Sequence, residues 1–176
     1  VQIMDDYDLL PVMNYKYGSH SETPKINGDV WEARYTPNLP DGCWYGCTVA
    51  CAHAVDNYTI QTGPYAGSCA IVDGPEYETI AGVGSNCGIF EPGPILETNF
   101  YCDTYGIDTI SFGTAMAFAM ECYEAGVLDR EKAGGHDLRF GNAEAALAVL
   151  HEIAQGEGFG AILGQGIRAM KRYFVE

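Results

Sequence analysis

Thr109-Ile-Ser-Phe-Gly-Thr-Ala-Met-Ala-Phe-Ala-Met-Glu-Cys-Tyr-Glu-Ala125 is dominated by Ala, Met, Phe and Ile on most helical faces and is followed by Gly126. A run apolar all round predicts a buried helix rather than a surface one. Downstream, Asn142 is a reasonable N-cap for a helix in which Leu147, Leu150, Ile153 and Ala154 recur at three- and four-residue steps. Phe159, Ile162, Leu163, Ile167, Met170 and Phe174 repeat the pattern for a last helix, with Arg168, Lys171 and Arg172 suited to its C-terminal dipole. Between them, Gly156-Glu-Gly158-Phe-Gly160-Ala-Ile-Leu-Gly164 follows no strand and lacks dinucleotide-loop spacing, so it reads as an interhelical turn with close packing.

Upstream, Pro94-Ile95 opens a helical run through Phe100 to Tyr105, and Pro75 sits at N1 of another with Glu76 and Glu78 in its first turn. From Cys43 to Asp73, Val49, Val55, Tyr58, Thr59 and Ile60 with the turn Thr62-Gly-Pro-Tyr-Ala-Gly67 predict short extended segments. The first forty residues, punctuated by Gly18, Pro24, Gly28, Pro37 and Pro40, read as loop. The chain is therefore expected to be mainly α with a loop-rich N-terminal part, divided into residues 1–108 and an incomplete helical domain over 109–176. A start at Val1 in mid-loop and an end in a basic helix suggest a piece of a longer polypeptide or a processed chain.

Nine Lys and Arg against 24 Asp and Glu give a formal charge of −15, which repels nucleic acid and anionic membrane surfaces. No apolar run reaches the roughly 18 residues of a bilayer span, and the first thirty residues hold neither a basic nor an apolar targeting region. Seven cysteines is an odd number, and their clustering is unlike a disulfide scaffold. A cytoplasmic protein is expected. Cys69, Cys87, Cys102 and Cys122 stand singly and read as small buried hydrophobes.

Two patterns carry chemistry. Cys43-x3-Cys47-x3-Cys51 places three soft thiolates within nine residues, suited to an iron–sulfur cluster or to zinc completed by Cys69 or His53. Asp103-Thr-Tyr-Gly106-Ile107-Asp108 brackets a glycine with carboxylates, which serve either as helix-boundary caps or as acceptors for ligand N–H groups. Glu76 and Glu78, taken by themselves, read as acids in a helix's first turn.

Six blocks in order resemble the tungsten- or molybdenum-dependent aldehyde ferredoxin oxidoreductase family. They are Gly74-Pro-Glu-Tyr-Glu78-Thr, Gly84-Ser-Asn-Cys87-Gly, Cys102 to Gly113, Ala117-Phe-Ala-Met-Glu-Cys-Tyr-Glu-Ala-Gly126, Phe140-Gly-Asn-Ala-Glu-Ala and Gly158-Phe-Gly-Ala-Ile-Leu. The resemblance spans nearly the whole chain and implies a mainly α, multi-helical cluster- and pterin-binding fold. It further implies that Cys43, Cys47 and Cys51 hold a 4Fe–4S cluster, with a fourth cysteine elsewhere. The family spaces these cysteines Cys-x2-Cys-x3-Cys, and the first gap here is one residue longer. By the same resemblance, Asp103, Gly106, Ile107 and Asp108 grip one ligand of a tungsten (or molybdenum) bis-pterin, Ile107 standing where the family has Leu.

Glu78 corresponds to a carboxylate beside the metal that orients or deprotonates water. Glu97 and His151 resemble a pair that binds a second metal at a subunit interface in some members, although His151 also reads as a satisfied core histidine. The implied activity is oxidation of a small-molecule aldehyde to its carboxylic acid, with electrons passed through the cluster to ferredoxin or another redox partner, in a chain that can be a homodimer. The chain matches the middle of such an enzyme and alone should not turn over substrate. The alternatives are an electron-transfer module carrying only the cluster, or a noncatalytic helical domain with structural zinc; radical chemistry on a cysteine triad fits the spacing less well.

Overall fold

The computed structural model describes residues 1–37, 46–48 and 52–175. The loop-rich start contains short helices α1 (Gln2–Asp6) and α2 (Gly28–Glu32), with a 3-10 turn over Thr23–Ile26. These helices were not expected in a segment so rich in Gly and Pro. They form because Pro24 sits in the first turn of the 3-10 helix and the Asn27 side chain accepts the Val30 N–H at 3.1 Å. Leu10, Val12, Ile26 and Trp31 from this region are buried in the core.

The extended segments are one antiparallel hairpin of β1 (Ala54–Thr59) and β2 (Cys69–Asp73). Its register runs from Ala54 opposite Asp73 to Thr59 opposite Cys69, broken between Val55 and Tyr58, where Asn57 takes φ 54°. The hairpin leaves Cys69 exposed, whereas Cys87 and Cys102 are buried as expected of small hydrophobes.

The chain then turns helical. A single turn, α3 (Tyr77–Thr79), widens into a π-helix over Ile80–Gly84 and closes with a 3-10 turn at Ser85–Cys87. Helix α4 (Pro92–Tyr105) starts two residues ahead of the expected Pro94, with Pro92 in its first turn. It ends at Gly106, whose φ of 69° lets the N–H groups of Gly106 and Ile107 reach the carbonyls of Asp103 and Cys102. Helix α5 (Thr109–Glu124) is capped by Asp108, which accepts the Ser111 N–H at 2.8 Å. It buries Phe112, Met116 and Met120 and is the apolar helix its composition predicts.

Asn142 caps α6 (Ala143–Gln155). The expected single last helix is two, α7 (Gly160–Leu163) and α8 (Ile167–Val175), because the chain turns at Gly164–Gly166, with Gly166 at φ 87°. Gly160 abuts the backbone of α6 at Glu152 and Ile153, which is the close packing expected of the glycine-rich stretch. One contiguous apolar cluster reaches from Leu10 to Met170 and contains residues of α4, α5 and α6 alike. Among the described residues no helix is long and apolar enough to cross a membrane.

Helix α5 meets the π-helix backbone to backbone. A Cβ on Gly113 would lie 2.5 Å from the carbonyl carbon of Gly82 and 3.0 Å from the Val83 nitrogen. Cys87 fills the adjoining space, its Sγ 3.5 Å from the carbonyl oxygens of both Gly82 and Gly113. Gly113→Ala is therefore expected to cost about 1 to 3 kcal/mol despite improving helix propensity, measured as a lower midpoint in urea unfolding; an unchanged midpoint would mean the two backbones can separate freely.

Candidate functional site

The Glu76-Tyr77-Glu78 block leaves β2 through Asp73-Gly74-Pro75, and backbone contacts fix its path. The Gly74 N–H donates to the His53 carbonyl at 2.6 Å, and a Cβ at Gly74 would stand 2.6 Å from that same oxygen. The Tyr35 hydroxyl donates to the Pro75 carbonyl at 2.9 Å. Glu76 stands at the N-terminal boundary of α3 without a side-chain capping bond and Glu78 lies in the first turn, with both residues exposed. Across from them the Thr79 and Thr109 hydroxyls are 2.8 Å apart and tie α3 to the start of α5.

This tie places Glu78 in one cleft of about 460 Å³ with Glu76, Asn99, Asp103, Ile107 and Asp108. The structure thus brings together the candidate base and three of the four residues of the candidate pterin motif. Gly106 does not line the cleft; it turns the chain so that Ile107 and Asp108 do, and its own Cβ position faces open space. Asn99 was not anticipated from the sequence. Its amide donates to the Asp73 carbonyl at 2.9 Å and to Asp103 Oδ2 at 3.4 Å, one helical turn away on α4. That i, i+4 spacing of an amide and a carboxylate was the available signal.

Among the described residues the cleft lining includes Asp73, Glu76, Glu78, Asp103 and Asp108 and no Lys, Arg or His. Desolvation by the surrounding wall raises the pKa of Asp103 above the ordinary carboxylate value. Asp108 is held below it, chiefly by its hydrogen bonds from Ser111. Such a lining offers carboxylate oxygens to a ligand rich in N–H donors. The amino and ring N–H groups of a pterin fit that donor set, and an anionic group would be repelled unless a cation accompanied it.

Glu97 and His151 lie outside this cleft, beside the loop that joins β1 to β2. Glu97 is 2% exposed, and its carboxylate accepts from the Gln61 N–H at 2.5 Å, the Thr62 N–H at 3.1 Å, the Thr62 hydroxyl and the Tyr58 hydroxyl at 3.2 Å. Burial, reinforced by Glu97, pushes the Tyr58 phenol up to about 12. His151 reaches the same loop from α6. Its ring packs edge-on against Tyr101 at 4.5 Å between centroids, Nδ1 lies 2.9 Å from the Tyr105 hydroxyl, and Nε2 is buried with no hydrogen-bond partner among the described residues. Gly63 covers that nitrogen closely, since a Cβ there would approach Nε2 to 2.7 Å. Burial lowers the His151 pKa, with Glu97 opposing the shift.

Of the cysteine triad, Cys43 and Cys51 lie outside the described residues, and Cys47 is half-buried. Among the described residues no three His, Cys, Asp or Glu side chains converge as a metal site. His53 stacks on Tyr35 at 4.5 Å, and Cys69 is exposed with Sγ 3.8 Å from Asn57 Oδ1.

A family model described as "Aldehyde ferredoxin oxidoreductase, domains 2 & 3" matches residues 1–175. The tungsten-containing aldehyde ferredoxin oxidoreductases of Pyrococcus horikoshii and Pyrococcus abyssi are each 36% identical over 170 residues, covering 94% of this chain and 26% of the relative. The aliphatic sulfonate oxidoreductase, WOR-like subunit, of Pyrococcus furiosus is 36% identical over 160 residues, covering 89% of this chain and 24% of the relative. The chain therefore spans about a quarter of the length of the relatives it matches.

The buried Glu97 carboxylate holds the backbone N–H groups of Gln61 and Thr62, two exposed residues of the loop between the strands. Glu97→Ala is expected to destabilise the chain by about 1 to 3 kcal/mol, because the loop loses a charged acceptor that water replaces only in part. Glu97→Gln keeps one carbonyl oxygen and should lose less. Urea unfolding in the presence of a chelator, so that bound metal makes no contribution, distinguishes the two; equal stability of wild type and the alanine variant would show that the loop rearranges to find water.

Proposed function

This chain belongs to the aldehyde ferredoxin oxidoreductase family, and on that premise we propose that it is the central portion of a tungsten (or molybdenum) pterin oxidoreductase. The proposed reaction oxidises an aldehyde to its carboxylic acid and passes the electrons through an iron–sulfur cluster to ferredoxin or a similar acceptor. The single observation that carries the reading is the shared cleft, in which Glu78 meets Asp103, Ile107 and Asp108. Neither an electron-transfer module nor a zinc-stabilised helical domain needs a carboxylate poised over such an acceptor set.

Asp103 and Asp108 would accept hydrogen bonds from the pterin, with Gly106 shaping the turn between them. Asn99 orients Asp103 from the preceding turn of α4. When bound, the metal–pterin centre would supply the two-electron oxidation, and the cluster held by Cys43, Cys47 and Cys51 the single-electron transfers. Glu78 is the proposed general base: it orients the water that adds to the aldehyde carbon, takes its proton, and returns that proton to solvent from the exposed rim of the cleft. Glu97 and His151 are proposed ligands of a second metal between subunits of a homodimer. Residues 1–108 would carry the cluster and pterin contacts and residues 109–176 the supporting helices. A charge of −15 agrees with a cytoplasmic enzyme that binds neither nucleic acid nor membrane.

The test uses the full-length protein that carries these residues, purified without oxygen. Iron together with tungsten or molybdenum is expected on metal analysis, and zinc without iron would overturn the reading. Glu78→Gln should retain the metals and lower kcat by about 10²- to 10³-fold, the range for loss of a positioned base; wild-type turnover at full metal content would remove Glu78 from the mechanism. Cys47→Ser should lose iron.

A further inference from the structure

Two features of the Glu97 and His151 pair pull in opposite directions. His151 Nε2 is buried with no hydrogen-bond partner among the described residues, while Nδ1 is held at 2.9 Å from the Tyr105 hydroxyl. A bare, buried polar atom is costly, and an imidazole nitrogen kept in that state fits a metal ligand. Glu97 shows the reverse. Its Oε1 accepts from the Gln61 N–H and the Tyr58 hydroxyl, and its Oε2 from the Thr62 N–H and hydroxyl. The carboxylate is therefore satisfied with no metal at all.

One loop accounts for both features. Residues 61 and 62, between β1 and β2, supply three of the four bonds to Glu97. The next residue, Gly63, lies over the histidine: a Cβ there would stand 2.7 Å from His151 Nε2 and 2.5 Å from the Tyr101 hydroxyl oxygen. Residues 61–66 are exposed whereas Glu97 is 2% exposed, so the loop forms a layer between the pair and solvent. A metal shared with a second subunit has to meet both ligands from outside that layer.

The loop is fastened at its neck independently of the pair. The Ile60 N–H donates to the Ser68 carbonyl at 3.0 Å, the Gly67 N–H donates to the Ile60 carbonyl at 2.8 Å, and Ile60 is buried. Beyond the neck, the Tyr101 hydroxyl donates to the Thr62 carbonyl at 2.5 Å and accepts the Tyr65 N–H at 3.2 Å. Residues 61–66 can thus swing outward about a fixed neck while β1 and β2 stay paired.

We propose that the loop over residues 61–66 is a lid on the second-metal site, closed onto Glu97 and His151 in the metal-free chain and displaced from the carboxylate when a divalent cation binds the pair. The inference rests on the reading of Glu97 and His151 as metal ligands and adds the device that regulates them. Closure lowers the apparent affinity for the ion by the fraction of chains whose lid is open, so weakening the closed state tightens metal binding. A loop with a purely structural role has no such effect.

The test uses the full-length protein, purified without oxygen, freed of labile metal with a chelator and titrated with Mn²⁺, which prefers carboxylate oxygen to soft thiolates. Binding is expected to need both ligands and to be lost in Glu97→Gln and His151→Ala. Gly63→Ala sets a Cβ against His151 and Tyr101, and Thr62→Val removes the hydroxyl that holds Glu97; each should tighten Mn²⁺ binding, by about fivefold or more. Hydrogen exchange reads the same event without turnover: the Gln61 and Thr62 amides should exchange at least about tenfold faster once Mn²⁺ is bound.

Binding in Gly63→Ala or Thr62→Val with none in wild type also supports the lid, as a closed state too stable for the ion to open. Binding that needs Glu97 and His151 but is neither tightened by the loop variants nor accompanied by faster exchange overturns the lid and leaves the pair as ligands. No Mn²⁺ binding in wild type or in either loop variant overturns the lid together with the assignment of the pair, and leaves the proposed oxidation at Glu78 standing.

Discussion

The contact between Gly82 and Gly113 is the constraint from which the site follows. With no Cβ on either residue, the π-helix and α5 approach until backbone meets backbone, and Cys87 bridges them with its sulfur near both carbonyls. That distance fixes where α3 ends and where α5 begins. The Thr79 and Thr109 hydroxyls can then touch at 2.8 Å, and Glu78 and Asp108, each one residue away along the chain, face a common cleft. A π-helix suits this position because its wider turn lets the backbone bulge toward a neighbour, a device found often beside functional sites.

Electrostatics then works in two opposite ways on one helix. At Glu97 a carboxylate is buried and fully compensated, taking backbone and hydroxyl donors from the hairpin loop, so the charge organises Gln61, Thr62 and Tyr58 around α4. Two residues on, Asn99 marks the other regime. It faces a cleft where carboxylates gather with no cationic residue in the lining among the described residues, and burial raises the Asp103 pKa. The first arrangement is complete without a ligand, whereas the second favours a ligand that brings hydrogen-bond donors or positive charge.

The helices were legible because their signals are local. Apolar content marked α5, the Asn142 cap marked α6, and Gly106 and Gly126 marked ends where a positive φ is needed. The blocks around Glu78 and Asp103 were legible as motifs, but their meeting in one cleft was not, since it depends on the depth of the Gly82–Gly113 contact. The split between α7 and α8 was hidden for a related reason: Ile162, Leu163 and Ile167 keep a helical period across a turn that Gly166 makes possible. The short N-terminal helices were obscured by glycines and prolines that act as first-turn residues rather than breakers.

The N-terminal segment shows how stiff this platform is. Met13, Asn14 and Tyr15 take φ values of 48°, 55° and 61°, three successive left-handed residues of which none is glycine. Each such residue costs roughly 1 to 2 kcal/mol, so the turn persists only where its surroundings require it. Those surroundings are the residues that follow the π-helix. Met13 and Asn14 donate their N–H groups to the Ser85 and Asn86 carbonyls at 3.1 and 2.9 Å, Tyr15 donates to the Asn86 side chain at 3.0 Å, and the Asn14 amide reaches Glu121 of α5 at 2.6 Å. The strained turn thus clasps the far end of the same π-helix and α5 pair that the glycine contact joins at its middle. With both ends of that pair held, the backbone that carries Glu78 is fixed from either side, while its side chain stays exposed at the cleft.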